Sequence, residues 1–594
     1  MTDTTAEILW VSGPVMRSSG GQVLSMYEMV EVGAERLIGE VIALDGEVAT
    51  LQIYEDTGGI RPGDPVVGTG APLSVEIGPG LLGQIFDGIQ RPLKALEQAT
   101  GVFIGRGALV SPLARDRAWP FTPLLKAGDQ VTGGAILGVV PETSAMEHRV
   151  LVPPGTAGEL TFVAPAGEYT LQDVIARVKD VQGRETELFL WHRWPVRRGR
   201  PYQERLLPSA PLITGQRVLD ALFPLAKGGA AAIPGGFGTG KTITQHQLSK
   251  WCEADLIVYV GCGERGNELA DVLESFPKLK DPYNDRLLME RTILVANTSN
   301  MPVVAREASI YVGVTLAEYY RDQGYDVLMV ADSTSRWAEA LREVAGRIGQ
   351  MPVEEGYPAY LASRLGAFYE RAGRMETLAG EFGSVTLIGA VSPPGGDLSE
   401  PVTSHTKDIV RVFWALSKEL ADARHYPAVD WSDSFSADVG PATGWWAQNV
   451  DPLWAARRTE ALGLLSQAGE LARVANLVGP EALSAAQRWV LESAALIREG
   501  VLQQNALDDV DSFCSPQRQF ALLDLVVDIH HQGAELLEMG MPIQELMGLA
   551  IVSRARRIKS LYHNGQVEEL RGFRREIKAV FDGLRATYGV SAKP

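Results

Sequence analysis

The sequence predicts a multidomain α/β protein: an N-terminal β-barrel, an inserted β-rich domain, a phosphate-loop α/β core and a C-terminal helical domain. Three observations predict it. The segment Gly235-Gly-Phe-Gly-Thr-Gly-Lys-Thr242 fills G-x-x-x-x-G-K-[ST] between an apolar run and a helix-like stretch. Around it, from about Arg205 to Val429, strand-like and helix-like stretches alternate. Short strands punctuated by turns come before this region, and amphipathic helices follow it. The expected boundaries are 1–73 for the barrel, 74–118 for the start of the nucleotide-binding region and 119–190 for the insertion. The core then covers 191–430 and the helical domain 431–594.

A chain of 594 residues is too long for one hydrophobic core. Its 45% apolar and 22% charged residues are those of an ordinary globular protein. The net charge of −18 argues against a surface built to grip nucleic acid. Cys252, Cys262 and Cys514 lack metal-ligand spacing and are expected to be free thiols. No apolar run approaches the roughly 20 residues that cross a bilayer. The start, Met1-Thr-Asp-Thr-Thr-Ala-Glu7, is polar and acidic, unlike a secretory signal. The expectation is a cytoplasmic protein whose membrane attachment comes through partners.

In chain order, Ile8–Val11, Glu28–Val32, Arg36–Leu44 and Glu47–Tyr54 read as strands separated by Ser12-Gly-Pro, Asp45-Gly, Thr57-Gly-Gly and Pro62-Gly-Asp. Strands this short and evenly spaced suggest a small closed barrel, here an assembly surface. Helix-like Leu93–Ala99 precedes the glycine- and proline-rich stretch from Trp119 to Asp180, which reads as hairpins. Trp191–Arg200, with Arg193, Arg197, Arg198 and Arg200, reads as a solvated connecting strand.

In the core, Ala230–Ile233, Leu256–Val260, Ile293–Ala296, Val327–Ala331 and Ser384–Ala390 are candidate strands, with helices at Val304–Asp322 and Trp337–Arg347. Gly235, Gly236, Phe237, Gly238, Thr239 and Gly240 would wrap a phosphate with backbone N–H groups at a helix N-terminus, where the helix dipole favours an anion. Lys241 reaches the β- and γ-phosphates, and the Thr242 hydroxyl can ligate Mg²⁺. Asp332 ends an apolar strand and would orient Mg²⁺ through water. Glu264, at the end of a second strand, is the candidate for polarising the attacking water, with Arg265 neutralising phosphate charge. Glu268 fits a helix-start acid better than a catalytic one. Cys262 reads as a small buried side chain.

Past Trp431, Ala455–Val474, Ala482–Gly500, Gln517–Leu537 and Val567–Leu584 read as amphipathic helices. His530 and His531 point about 100° apart on such a helix, a poor metal pair, and read as a solvated face.

Several long blocks resemble the catalytic A subunit of V-type and archaeal-type (V/A) rotary ATPases. They are Pro211–Asp220, the phosphate loop, Gly263-Glu-Arg-Gly-Asn-Glu268, Ala331–Glu343, Gly356–Leu365 and Gly389–Thr403. The resemblance implies a RecA-like P-loop core and an insertion that marks this type of catalytic chain. It implies a ring of three such chains alternating with three noncatalytic nucleotide-binding subunits, joined to central-stalk and peripheral-stalk subunits. ATP would be hydrolysed, or ADP converted to ATP, with rotation coupled to H⁺ or Na⁺ transport by a membrane sector. The chain would then sit peripherally on the cytoplasmic face of the membrane. By carry-over, Lys241, Thr242, Glu264 and Arg265 keep the roles above, and Tyr426 of His425-Tyr-Pro427 stacks on adenine.

Two positions depart from the family pattern, Gly236 replacing a common proline and Leu507 an aromatic, and Thr239 stands where eukaryotic members place a cysteine, which implies a bacterial or archaeal type. The rival readings are a secretion-system ATPase, a nucleic-acid translocase and a noncatalytic nucleotide-binding subunit. Lys241, Thr242 and Glu264 together argue against the last, the insertion against the first two, and the acidic charge against the translocase.

Overall fold

The computed structural model describes residues 5–101, 105–108, 110–282, 286–508 and 510–591. The polar start expected to exclude a signal sequence lies partly outside them, at residues 1–4. The chain forms two compact units, one of residues 1–207, 254–393 and 397–410, the other of 208–253, 394–396 and 411–594.

The first unit opens with a closed six-stranded barrel in which Thr5–Ser12, Val15–Ser19, Val48–Ile53, Leu37–Asp45, Glu28–Val32 and Pro65–Pro72 are successive neighbours. Ile8, Met16, Val30, Val32, Val41, Leu51, Ile53 and Val66 form its buried core. Two barrel strands, Val15–Ser19 and Pro65–Pro72, carry no clean alternation in sequence. They are defined by their antiparallel partners. The insertion forms two four-stranded antiparallel sheets.

The rest of this unit is a mostly parallel sheet ordered Phe382–Val391, Asp326–Asp332, Leu256–Glu264, Thr292–Thr298 and Ile85–Phe86. Its strands are apolar along nearly their whole length because helices cover the sheet. The helix Val303–Asp322 is buried at 19 of its 20 positions.

The Trp191–Arg200 stretch corrects the expectation of a solvated strand. Arg197 is clamped by Glu40 (2.8 Å) and Glu307 (2.7 Å). Arg200 is buried and pairs with Asp322 at 2.5 Å. Arg193 pairs with Glu76 at 3.0 Å and is itself exposed. Carboxylates distant in sequence make burial of the first two arginines tolerable.

The second unit carries a short sheet, Ala230–Pro234 parallel to Val412–Phe413, which is antiparallel to Phe435–Ser436. Its helices include Val439–Asn449, Trp454–Val478, Ala485–Leu496 and Pro516–Glu538. Ser484 and Gln487 cap the third reciprocally, so it begins three residues later than the sequence suggested. It ends early too, passing into a π-helical turn at Ile497–Leu502. Trp446 and Trp454 stack at 5.1 Å beside Ile213 and Phe520 in the core. His530 is half-buried and bonds Ser493 Oγ at 2.8 Å, whereas His531 is exposed and pairs with Glu460 at 3.2 Å. Only His531 lies on a solvated face.

Candidate nucleotide site

The sequence-identified residues fall into two sets, one in each unit. In the second unit, the buried strand Ala230–Pro234 delivers the chain into the phosphate loop, and the helix Lys241–Trp251 carries it away. The turn needs glycine at two places: Gly238 has φ 81° and Gly240 φ 88°, left-handed values that side chains rarely adopt. At Gly235 space sets the requirement. A Cβ there would come 2.6 Å from Thr239 Oγ1 and 2.8 Å from Leu416 Cβ. The Thr239 hydroxyl donates to Gly236 O at 2.9 Å. Lys241 Nζ folds back over the loop, donating to Gly235 O (2.5 Å) and Gly236 O (3.1 Å). These are weak acceptors for an ammonium compared with phosphate oxygens, so the lysine is held ready at the loop mouth. No acidic side chain occupies the first turn of the helix, which keeps its N-terminus attractive to an anion.

Phe237 is 82% exposed. The Tyr426 ring lies against the end of the loop, where a Cβ on Gly240 would approach its Cε1 to 3.3 Å. Tyr426 is held from behind, its carbonyl accepting from the Gln504 N–H at 2.7 Å, and its ring remains partly open to solvent. Leu507 is 93% exposed. Burial first, then Lys559 and Arg498, pushes the neighbouring His425 down to about 4.

In the first unit, the strand Leu256–Glu264 runs past its expected core and ends at Glu264. Gly263, with φ 69°, turns the chain there. A Cβ on it would meet Arg306 Cδ at 2.6 Å and Arg336 Cβ at 3.1 Å. The Ser299 N–H donates to Glu264 O at 2.8 Å and pins the strand end. Burial, the charge of Asp332 and the hydrogen bond and charge of Glu268 push the Glu264 carboxyl up to about 8, with Arg336 opposing. Asp332 is buried, with the Tyr259 hydroxyl donating to its Oδ2 at 3.1 Å. Arg265 is exposed at the start of the helix Gly266–Ser275, and Glu268 lies in that helix's first turn. Cys262 is buried, and its thiol is pushed up to about 12, chiefly by desolvation.

Sequence reasoning missed Arg336, Arg306 and Tyr259. The position of Arg336, in the first turn of the helix that begins two residues after the strand-ending Asp332, could have marked it. Arg306 comes from the helix Val303–Asp322, and Tyr259 from the middle of the strand that ends at Glu264.

Asp332 and Glu268 both raise the proton affinity of Glu264. Mg²⁺ needs only one or two carboxylates beside water and phosphate. Among the described residues no group of three or more His, Cys, Asp and Glu is placed to hold a metal ion.

Comparison with known proteins adds four family models along the chain. The β-barrel domain of the ATP synthase alpha/beta family matches residues 8–70, and the alpha/beta subunit barrel-sandwich domain matches 110–197. The nucleotide-binding domain of the ATP synthase alpha/beta family matches 215–436, and the C-terminal domain of V and A type ATP synthase matches 443–544. The V-type ATP synthase alpha chain of Nitrosococcus oceani is 63% identical, over 99% of this chain and 100% of its own length. The A subunit of the A-type ATP synthase of Desulfurococcus sp. is 53% identical, over 98% and 99%. A solved structure of the assembled ATPase EscN from the enteropathogenic E. coli type III secretion system shares the fold. It has a TM-score of 0.61 and 22% identity, over 88% of this chain and all of that one.

Proposed function

Because the chain belongs to the A (alpha) subunits of V/A-type ATP synthases, we propose that it is the catalytic subunit of a rotary ATPase. It hydrolyses ATP, or makes it when driven in reverse, and the reaction is coupled to ion transport. The observation that carries this reading is the presence in one chain of a complete phosphate loop and a strand-end glutamate of raised proton affinity. A noncatalytic subunit needs only the loop. The likeness to the secretion-system ATPase extends to the fold alone.

The proposed chemistry is in-line attack of water on the γ-phosphorus, breaking its bond to the β–γ bridging oxygen to give ADP and phosphate. Backbone N–H groups from Gly235 to Gly240 and the Lys241 ammonium hold the phosphates. Glu264, once ionised, takes the proton of the attacking water, and Arg265 neutralises phosphate charge. Tyr426 offers its exposed ring face to adenine, and Phe237 lies at the rim of the phosphate loop. Mg²⁺ bound with the nucleotide would neutralise phosphate charge, held by Thr242 Oγ1 and, through water, by Asp332.

The proposed assembly is a ring of three of these chains and three noncatalytic nucleotide-binding subunits. Central and peripheral stalks would link it to a membrane ion-translocating sector, at the cytoplasmic face. The domain limits proposed are those read from the sequence. No helix among the described residues is long and apolar enough to cross a membrane.

The test is ATP turnover by the chain reconstituted with its noncatalytic partner, wild type beside Glu264→Gln. Turnover should fall about 10²–10⁴-fold with nucleotide binding retained. Undiminished turnover would remove Glu264 from its role.

A further inference from the structure

Within the first unit, a cavity of about 250 Å³ lies where the barrel strands meet the helices Val303–Asp322, Thr334–Arg347 and Leu361–Tyr369. It takes no part in the chemistry above. Ile42 and Ile348 contribute apolar wall, Tyr27, Gln52, Tyr360 and Arg364 contribute polar groups, and Glu307 lines the cavity paired with Arg197.

The two arginines on this wall differ in their partners. Arg197 is satisfied on every side: Nε and Nη2 donate to Glu40 at 3.0 and 2.8 Å, and Nη1 and Nη2 to Glu307 at 2.9 and 2.7 Å. That fork-to-fork pairing consumes the oxygens of both carboxylates. Arg364 has no such partner. Its Nη2 donates to Tyr27 Oη at 3.3 Å, and its guanidinium lies 5.7 Å from the Tyr360 ring centroid. Among the described residues no carboxylate forms an ion pair with it. Tyr311 is a further phenol partner of Arg364, and Glu307, which favours the charge of Arg364 through space, is itself held by Arg197. A half-buried guanidinium flanked by phenols and not forked onto a carboxylate is well shaped to take an anion.

We propose that this cavity is a binding site for a small oxyanion, a phosphate- or carboxylate-bearing molecule held by Arg364 with Tyr27 at its side. Its volume is below the roughly 300–1,000 Å³ of sites for drug-sized ligands, which restricts the occupant to a small one. The wall includes Leu341 and Val344 of the helix that begins two residues after Asp332, so occupancy would brace that helix.

The phosphate loop also attracts anions, so the experiment must separate the two sites. Inorganic phosphate and, separately, citrate are titrated calorimetrically into the full chain as wild type, Lys241→Ala, Arg364→Gln and Ile42→Trp. Lys241→Ala should keep one equivalent of binding for at least one probe. Arg364→Gln should weaken that binding about tenfold or more, the loss expected for charge-assisted hydrogen bonds. Ile42→Trp fills the cavity with Arg364 intact and should weaken it likewise; it decides the matter if Arg364→Gln does not fold. A response to phosphate alone identifies a phosphate-bearing occupant, and a response to citrate alone a carboxylate. Absence of binding of both probes to Lys241→Ala, or undiminished binding in the folded Arg364 and Ile42 variants, would overturn the proposal.

Discussion

Replacing Glu264 by glutamine should stabilise the nucleotide-free protein in alkali and leave it nearly unchanged in acid. In the unfolded chain this carboxyl ionises near its ordinary 4.5, and in the folded chain at about 8, because burial, then Asp332, then Glu268 oppose its charge. Between those two values the native state holds a proton that the unfolded state has lost. Stability therefore falls as pH rises from the unfolded value through the folded one. Taken in full, that separation corresponds to about 5 kcal/mol above pH 8. Glu264 keeps some contact with water, and screening reduces the penalty to about 1–3 kcal/mol. Glutamine keeps the shape and removes the charge. The urea midpoint of Glu264→Gln should accordingly exceed that of wild type at pH 9 and coincide with it at pH 4. Because the chain forms two units, the midpoint of the transition that includes the first unit is the quantity to follow. A midpoint difference that is equal at both pH values, or larger in acid, would refute the electrostatic reasoning.

Other perturbations test neighbouring parts of the structure. Glu268→Gln removes one of the charges that oppose Glu264, so the rising limb of kcat/KM against pH in the reconstituted enzyme should move to lower pH. Gly263→Ala sets a Cβ against Arg306 at a left-handed position and should cost about 1–3 kcal/mol in denaturant unfolding, with reduced turnover. Arg217→Met leaves Asp511 without its partner at 2.6 Å in a buried place. It should destabilise the second unit by about 3–5 kcal/mol, read from its urea transition. Lys241→Met should abolish nucleotide binding, measured by calorimetry, while the far-ultraviolet circular dichroism spectrum stays unchanged.

Wherever one residue's neighbours along the chain decide its environment, the sequence was sufficient. Gly238 and Gly240 are dictated by left-handed turns, and the core strands by unbroken apolar runs. The ends of Glu28–Val32 and the start of Val567–Ser591 were legible for the same reason, since a period of two or 3.6 is a local property of the backbone. Tertiary structure decided the charges. Arg197 reads as a solvated cation until Glu307, 110 residues away, closes on it. Glu264 could be nominated from its place at a strand end. Its proton affinity, however, depends on desolvation and on Asp332, 68 positions further on, which only parallel strand pairing brings near. Coulomb interaction and desolvation act through space, and spacing along the chain carries no record of them.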